Sequence, residues 1–220
     1  MAAVAGWLTL LALGALAVRR RWSGINDPSQ REWSRKLVHI GTGAVVPIAW
    51  VLGIDRAIAL PAAATITLVA ALNHRLRLLP AVEDVGRASY GTVAYGASIT
   101  LLLWQFWPHQ PATVAAGVLV MAVGDGLAGL IGPLWRSPSW QVLGQRRSLL
   151  GTGTMALASF LVLSGLKVAG SAIGGAPDWP ALLLIALAAT LLEQLAVAGL
   201  DNLSVPLGVA WLWQGCSPVG

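Results

Sequence analysis

Apolar residues in this chain fall into long runs, approximately 2–18, 38–54, 56–72, 90–107, 112–132, 150–170 and 180–200, and the polar residues are swept into the stretches between them. Each run approaches the ~20 residues that a helix needs to cross the hydrocarbon of a bilayer. An eighth run, 203–214, suffices for a half-span. The pattern predicts an all-α, polytopic transmembrane helix bundle of about seven spans plus a short C-terminal apolar segment. No intervening polar stretch is long enough to fold alone, so residues 1–220 read as a single membrane domain.

Composition agrees: 56% of residues are hydrophobic and 10% charged, with a mean hydropathy of +0.72. The net charge of +5 is distributed by side rather than along a stripe. The first run has no basic residue before it and Arg19, Arg20 and Arg21 directly after it, which predicts a retained helix with an outside N-terminus rather than a signal peptide. Loops 19–37, 73–89 and 133–149 then face the cytoplasm and hold twelve of the fourteen basic residues. That is the positive-inside pattern and argues against nucleic acid as a partner. Trp7, Trp22, Trp50, Trp107, Trp135 and Trp179 stand near run ends, where interfacial anchors belong. A lone cysteine, Cys216, excludes an internal disulfide and a CxxC metal site.

Against this apolar background one carboxylate stands out. Asp125 lies in Val123-Gly124-Asp125-Gly126-Leu127-Ala128-Gly129-Leu130-Ile131-Gly132, where an ionisable group costs roughly 3 kcal/mol on insertion scales. The flanking glycines are expected to let backbone N–H groups approach a phosphate-bearing ligand. Glu193 likewise interrupts an apolar run, and neither acid has a basic neighbour in sequence.

With the topology drawn, the polar groups gather at the cytoplasmic ends of five runs. Arg35, Lys36 and His39 open the second; Arg87, Ser89, Tyr90 and Thr92 open the fourth; Asp125 lies toward the inner end of the fifth; Arg147, Ser148 and Thr152 open the sixth; Glu193, Asp201 and Asn202 follow the inner half of the seventh. Basic side chains and helix N-termini suit phosphates, and carboxylates suit a divalent ion, so phosphoryl or nucleotidyl transfer fits the parts. The bland alternatives are snorkelling anchors for Arg87 and Arg147, an interfacial histidine at His39, and a helix cap at Asp201-Asn202. No GxxxxGK[ST], HExxH or GxSxG motif is present.

Arg35-Lys36-Leu37-Val38-His39-Ile40, Ser89 to Tyr95, Gly124 to Gly132, Arg147-Ser148 with Gly151-Thr152, and Asp201 to Pro206 together resemble the ordered motifs of the phytol, farnesol and dolichol kinase family, with the phytol kinase branch nearest. The resemblance implies a lipid kinase that transfers the terminal phosphate of a nucleoside triphosphate, with CTP as the expected donor and Mg²⁺ as the expected ion, to phytol or a similar isoprenoid alcohol at the cytoplasmic face of a bacterial plasma membrane or thylakoid. It implies nucleotide contacts at Asp125, Ala128, Gly132, Arg147, Ser148, Gly151 and Thr152. Asp125, Glu193 and Asp201 are the expected magnesium ligands. Arg35 and Lys36 are expected to offset developing charge, and His39 is a candidate to take the alcohol proton. Arg87, Tyr90, Thr92 and Asn202 are candidate substrate or phosphate contacts. Gly41, Gly43, Ala94, Gly96 and Ala97 are expected to make room for the prenyl tail. The chain departs from its relatives in having arginine at Arg147 where lysine is frequent and no acid at Gly129. Two other readings are a phosphatidate cytidylyltransferase-like enzyme and a small membrane transporter with Asp125 and Glu193 on an ion path. Oligomeric state is not legible.

Overall fold

The computed structural model describes residues 2–21, 28–76, 90–170 and 175–218. The described elements are α1 (Ala2–Arg21), α2 (Pro28–Gly43), α3 (Val45–Val51), α4 (Arg56–Leu76), α5 (Gly91–Phe106) and α6 (Pro111–Leu119), then a π-helical turn (Val120–Asp125) running directly into α7 (Gly126–Ile131). After a two-stranded hairpin, β1 (Ser139–Val142) and β2 (Gln145–Ser148), come α8 (Leu149–Gly170), α9 (Trp179–Leu195) and α10 (Asp201–Cys216).

The stretch Pro111–Ile131 forms one 21-residue rod at the centre of the bundle. Val114, Ala115, Ala116, Val118, Val120, Met121 and Ala122 on it are fully buried. α2, α3, α5, α8 and α10 pack around it. The outer faces remain apolar: Ile66, Leu68 and Val69 on α4, Leu157 and Leu161 on α8, and Leu184, Leu187 and Leu191 on α9 are exposed. Contiguous exposed apolar surface of this kind belongs in lipid.

The all-α architecture follows the hydrophobic runs, while the count of spans does not. Among the described residues, three helices are long and apolar enough to cross a membrane: Arg56–Leu76, Pro111–Ile131 and Leu149–Ala169. The expectation of about seven is corrected for two reasons. α5 and α9 have 16 and 17 residues, about 24–26 Å at 1.5 Å per residue, short of a ~30 Å core, and the apolar part of α1, Ala2–Gly14, is shorter still. The run 38–54 is divided between α2, which is charged over its first half, and the seven-residue α3. The supposed loop 19–37 is mostly helix, and the loop 133–149 contains the hairpin. The hairpin turn is Leu143-Gly144, both in the left-handed region at φ 48° and 78°, with Val142 paired to Gln145. That is the geometry of a two-residue turn matched to strand twist.

Close approach of neighbouring helices accounts for the two glycines that flank Asp125. A Cβ at Gly124 would lie 2.7 Å from Met155 Sδ on α8, and one at Gly126 would collide with Ile40 on α2. Three of the small residues expected to house a prenyl tail are filled in the same way: Leu11 covers Gly41, Ala122 meets Gly43, and Thr67 meets Gly96.

Candidate active site

Four residues of α2 spaced i, i+3, i+4, i+7 meet the central rod: Lys36, His39, Ile40 and Gly43. This is one helical stripe. Lys36 Nζ donates to Asp125 Oδ2 at 2.7 Å and to the Asp125 carbonyl at 3.3 Å. His39 Nε2 stands 3.5 Å from the same Oδ2 and 3.4 Å from the Met121 carbonyl. The π turn brings both carbonyls and the carboxylate to α2, and such turns recur at functional sites. Behind His39, Tyr95 stacks at 4.7 Å between ring centroids, and its hydroxyl donates to the His39 carbonyl at 3.4 Å. Lys36 is buried, while Arg35 is exposed.

A second pair closes α9 onto the hairpin. Arg147, at the third position of β2, donates through Nη1 to Glu193 Oε1. Its Nη2 reaches the carbonyls of Glu193 at 2.6 Å and Ala196 at 3.2 Å, tying off the C-terminal end of α9. Arg147 Nε is buried without a hydrogen-bond partner. Gln194 Nε2 donates to Glu193 Oε2 at 2.9 Å and to Thr152 Oγ1 at 3.0 Å.

Four of the residues expected to touch a nucleotide, Ala128, Gly132, Ser148 and Gly151, lie close together where α7 meets the start of α8. A Cβ at Gly132 would lie 3.2 Å from the Gly151 Cα and 3.4 Å from Ser148 Oγ. Ser148 Oγ accepts the Gly151 N–H at 3.1 Å, capping α8, and Gly132 N–H donates to the Ala128 carbonyl at 2.9 Å. Ala128, Gly132, Ser148 and Gly151 thus form one small-residue seam at the N-terminal end of a 22-residue helix.

Asp201 opens α10, with Oδ1 accepting the Asn202 backbone N–H at 3.0 Å and side-chain Nδ2 at 3.1 Å. Burial pushes the Asp201 carboxyl above the ordinary carboxylate value, and the negative charge of Asp125 adds to the push. The Asn202 N–H, Lys36 and Arg147 oppose it. Glu193 also feels the charges of Asp125 and Asp201, so the three acids share one field.

Sharing a field is not sharing a metal. Among the described residues, no three His, Cys, Asp or Glu side chains gather closely enough to hold an ion, so the expected Asp125–Glu193–Asp201 magnesium set is not assembled. Lys36 closes Asp125, and Arg147 closes Glu193. One carboxylate beside a phosphate-bearing ligand still suits magnesium, which takes one or two protein acids and fills its octahedron with phosphate oxygens and water. Tyr90 and Thr92 are exposed; Tyr90 stacks on His74 at 4.7 Å and donates its backbone N–H to the Ala198 carbonyl. Arg87 and Ser89 lie outside the described residues. Sequence reasoning missed Tyr95, within a quoted motif, and Gln194, next to a singled-out acid.

The class that fold and site define is a membrane helical bundle whose buried acids are matched by cations from other elements, Lys36 from α2 and Arg147 from β2. The chain is 41% identical to the phytol kinase of Synechocystis sp. over 96% of its own length and 94% of that protein. It is 30% identical to the probable phytol kinase 1, chloroplastic, of Glycine max and 27% identical to the phytol kinase 1, chloroplastic, of Arabidopsis thaliana. Both matches cover 81% of this chain, and 65% and 64% of those longer proteins respectively. No family model matches, and no solved structure matches. The chain belongs to the phytol kinase family and is a membrane enzyme of the kinase type.

Proposed function

We propose that this protein transfers the terminal phosphate of CTP to phytol or a similar prenyl alcohol, at the cytoplasmic face of a bacterial plasma membrane or thylakoid. The single observation that carries the site assignment is the convergence of Lys36 and His39 on Asp125 Oδ2, a carboxylate brought to α2 by a π turn within an apolar rod. In this reading the alcohol oxygen bonds to the terminal phosphorus, the bond from that phosphorus to the bridging oxygen breaks, and CDP leaves. Asp125 would hold Mg²⁺ together with phosphate oxygens, and the ion supplies neutralisation of the phosphoryl charge. Lys36 adds a positive charge beside the transferring group. The triphosphate lies along the Ala128–Gly132 and Ser148–Gly151 seam, where the N-terminal end of α8 favours anions. His39 Nε2 faces two oxygen acceptors, an arrangement that calls for a proton on Nε2 and makes His39 an orienting donor rather than a base at that atom. The hydroxyl proton passes instead to Asp201, whose raised proton affinity suits the role.

The test is transfer from γ-labelled CTP, with ATP and UTP as alternatives, by purified protein in lipid with Mg²⁺ and a panel of phytol, geranylgeraniol, farnesol and phosphatidate. Label on an alcohol with release of CDP is the expected result. Pyrophosphate release with phosphatidate, or no transfer to any acceptor, contradicts the proposal.

A further inference from the structure

Lys36 does not approach Asp125 along the open side of the central rod; it lies across α7. A Cβ at Gly129 would sit 2.5 Å from Lys36 Cε and 2.8 Å from Nζ, both well inside contact distance. The same Nζ is the atom that reaches Asp125 Oδ2 at 2.7 Å and the Asp125 carbonyl at 3.3 Å. Gly129 is four residues after Asp125, one helical turn along the same face, so the lysine stem crosses the rod over the absent side chain. The obstruction differs from that at Gly126, where a Cβ would meet Ile40, a branched side chain holding α2 against α7. At Gly129 the atoms in the way are the end of a flexible chain, which can leave while the helices stay.

We infer that Gly129 is a positioning residue, the seat in which Lys36 lies so that its ammonium reaches Asp125. This rests on the reading of Asp125 and Lys36 as catalytic groups. It carries an unusual pair of signs. Glycine inside a helix is less favourable than alanine, so Gly129→Ala should fold and insert as well as the parent while its lysine is displaced. A glycine kept only for helix packing would show the reverse, a loss of stability with the remaining activity normal per folded molecule.

The protein has two lysines, Lys36 and Lys167, so amine labelling gives a readout independent of turnover. Lys36 is buried on Asp125, and Lys167, on α8, donates to the Pro177 carbonyl far along the chain and serves as the internal reference. With the full-length protein in lipid, acetylation by an N-hydroxysuccinimide ester is followed by mass spectrometry in the parent, Gly129→Ala and Gly126→Ala, alongside Tm and kcat. The expected result for Gly129→Ala is a Tm equal to or above the parent, a several-fold rise in Lys36 labelling relative to Lys167, and a kcat at least tenfold lower. Gly126→Ala should lower Tm with a smaller change at Lys36. Unchanged Lys36 labelling, unchanged kcat, or loss of fold in Gly129→Ala overturns the inference, because each means that Lys36 does not give way. Full activity in Asp125→Asn would instead defeat the catalytic reading, leaving the labelling result to decide on the seat alone.

Discussion

Two buried carboxylate–cation pairs sit in this bundle, and they are built differently. Asp125 is served by a lysine, a single point charge on a flexible stem, and by a histidine at the edge of contact. Glu193 is held by an arginine whose guanidinium also bonds two backbone carbonyls at the end of α9, with Gln194, itself bonded to Thr152, donating to the other oxygen. A planar fork committed to three protein acceptors is a clamp; an ammonium on a mobile stem can turn to a ligand and return. Depth of burial does not separate the two acids; what differs is that the lysine bonds to Asp125 itself, whereas the arginine also ties down the end of α9.

Breaking each pair separates the roles. Asp125→Asn is expected to lower kcat by about 10³ or more, the scale of losing a principal electrostatic group at a phosphoryl site, as measured by label transfer at saturating CTP. Glu193→Ala leaves Arg147 without its carboxylate and should cost about 3 kcal/mol of stability, seen as a lower Tm with kcat per folded molecule little altered. Asp201→Asn sharpens the comparison through opposite signs. As the proton acceptor, its loss lowers kcat by about 10². Because the folded carboxyl is raised above its unfolded value, charging it opposes folding at pH above both. The variant should therefore have the higher Tm at neutral pH, and the gain should vanish as pH falls from the raised folded value through the ordinary one near about 3.9; Tm against pH checks this. Arg147→Lys keeps the charge but cannot bridge Glu193 Oε1 and two carbonyls at once, and should cost about 1–2 kcal/mol. Tyr95→Phe removes one long hydrogen bond to the His39 carbonyl and should change stability by about 0.5 kcal/mol, read from the same melts.

Much of the bundle was legible because apolar runs report helices directly: α1, α4, α5, the central rod and α8 follow the runs closely. Span count was not, because a run of apolar residues does not show where a helix stops. The run 180–200 ends as helix at Leu195, before the left-handed pair Ala198 and Gly199 turns the chain. Asp125 was visible as a charge in the wrong solvent, whereas its partner stands 89 residues earlier and only the fold could supply it. The choice between Arg35 and Lys36 was not available in the 3.6-residue period, since His39 lies four residues after Arg35 and three after Lys36 and either can share its face; the fold decides it by burying Lys36 against Asp125. The glycines misled because a gap in side-chain volume looks the same in sequence whether a ligand or a neighbouring helix fills it; here Ile40, Lys36 and Met155 fill three of them.

The most direct test is the initial rate of phosphate transfer from γ-labelled CTP to phytol by Asp125→Asn and Glu193→Gln, assayed together in lipid well below the Tm of either. Near-parental transfer is expected from Glu193→Gln and almost none from Asp125→Asn. Parental transfer from Asp125→Asn, or equal losses in both, would contradict the catalytic reading of Asp125.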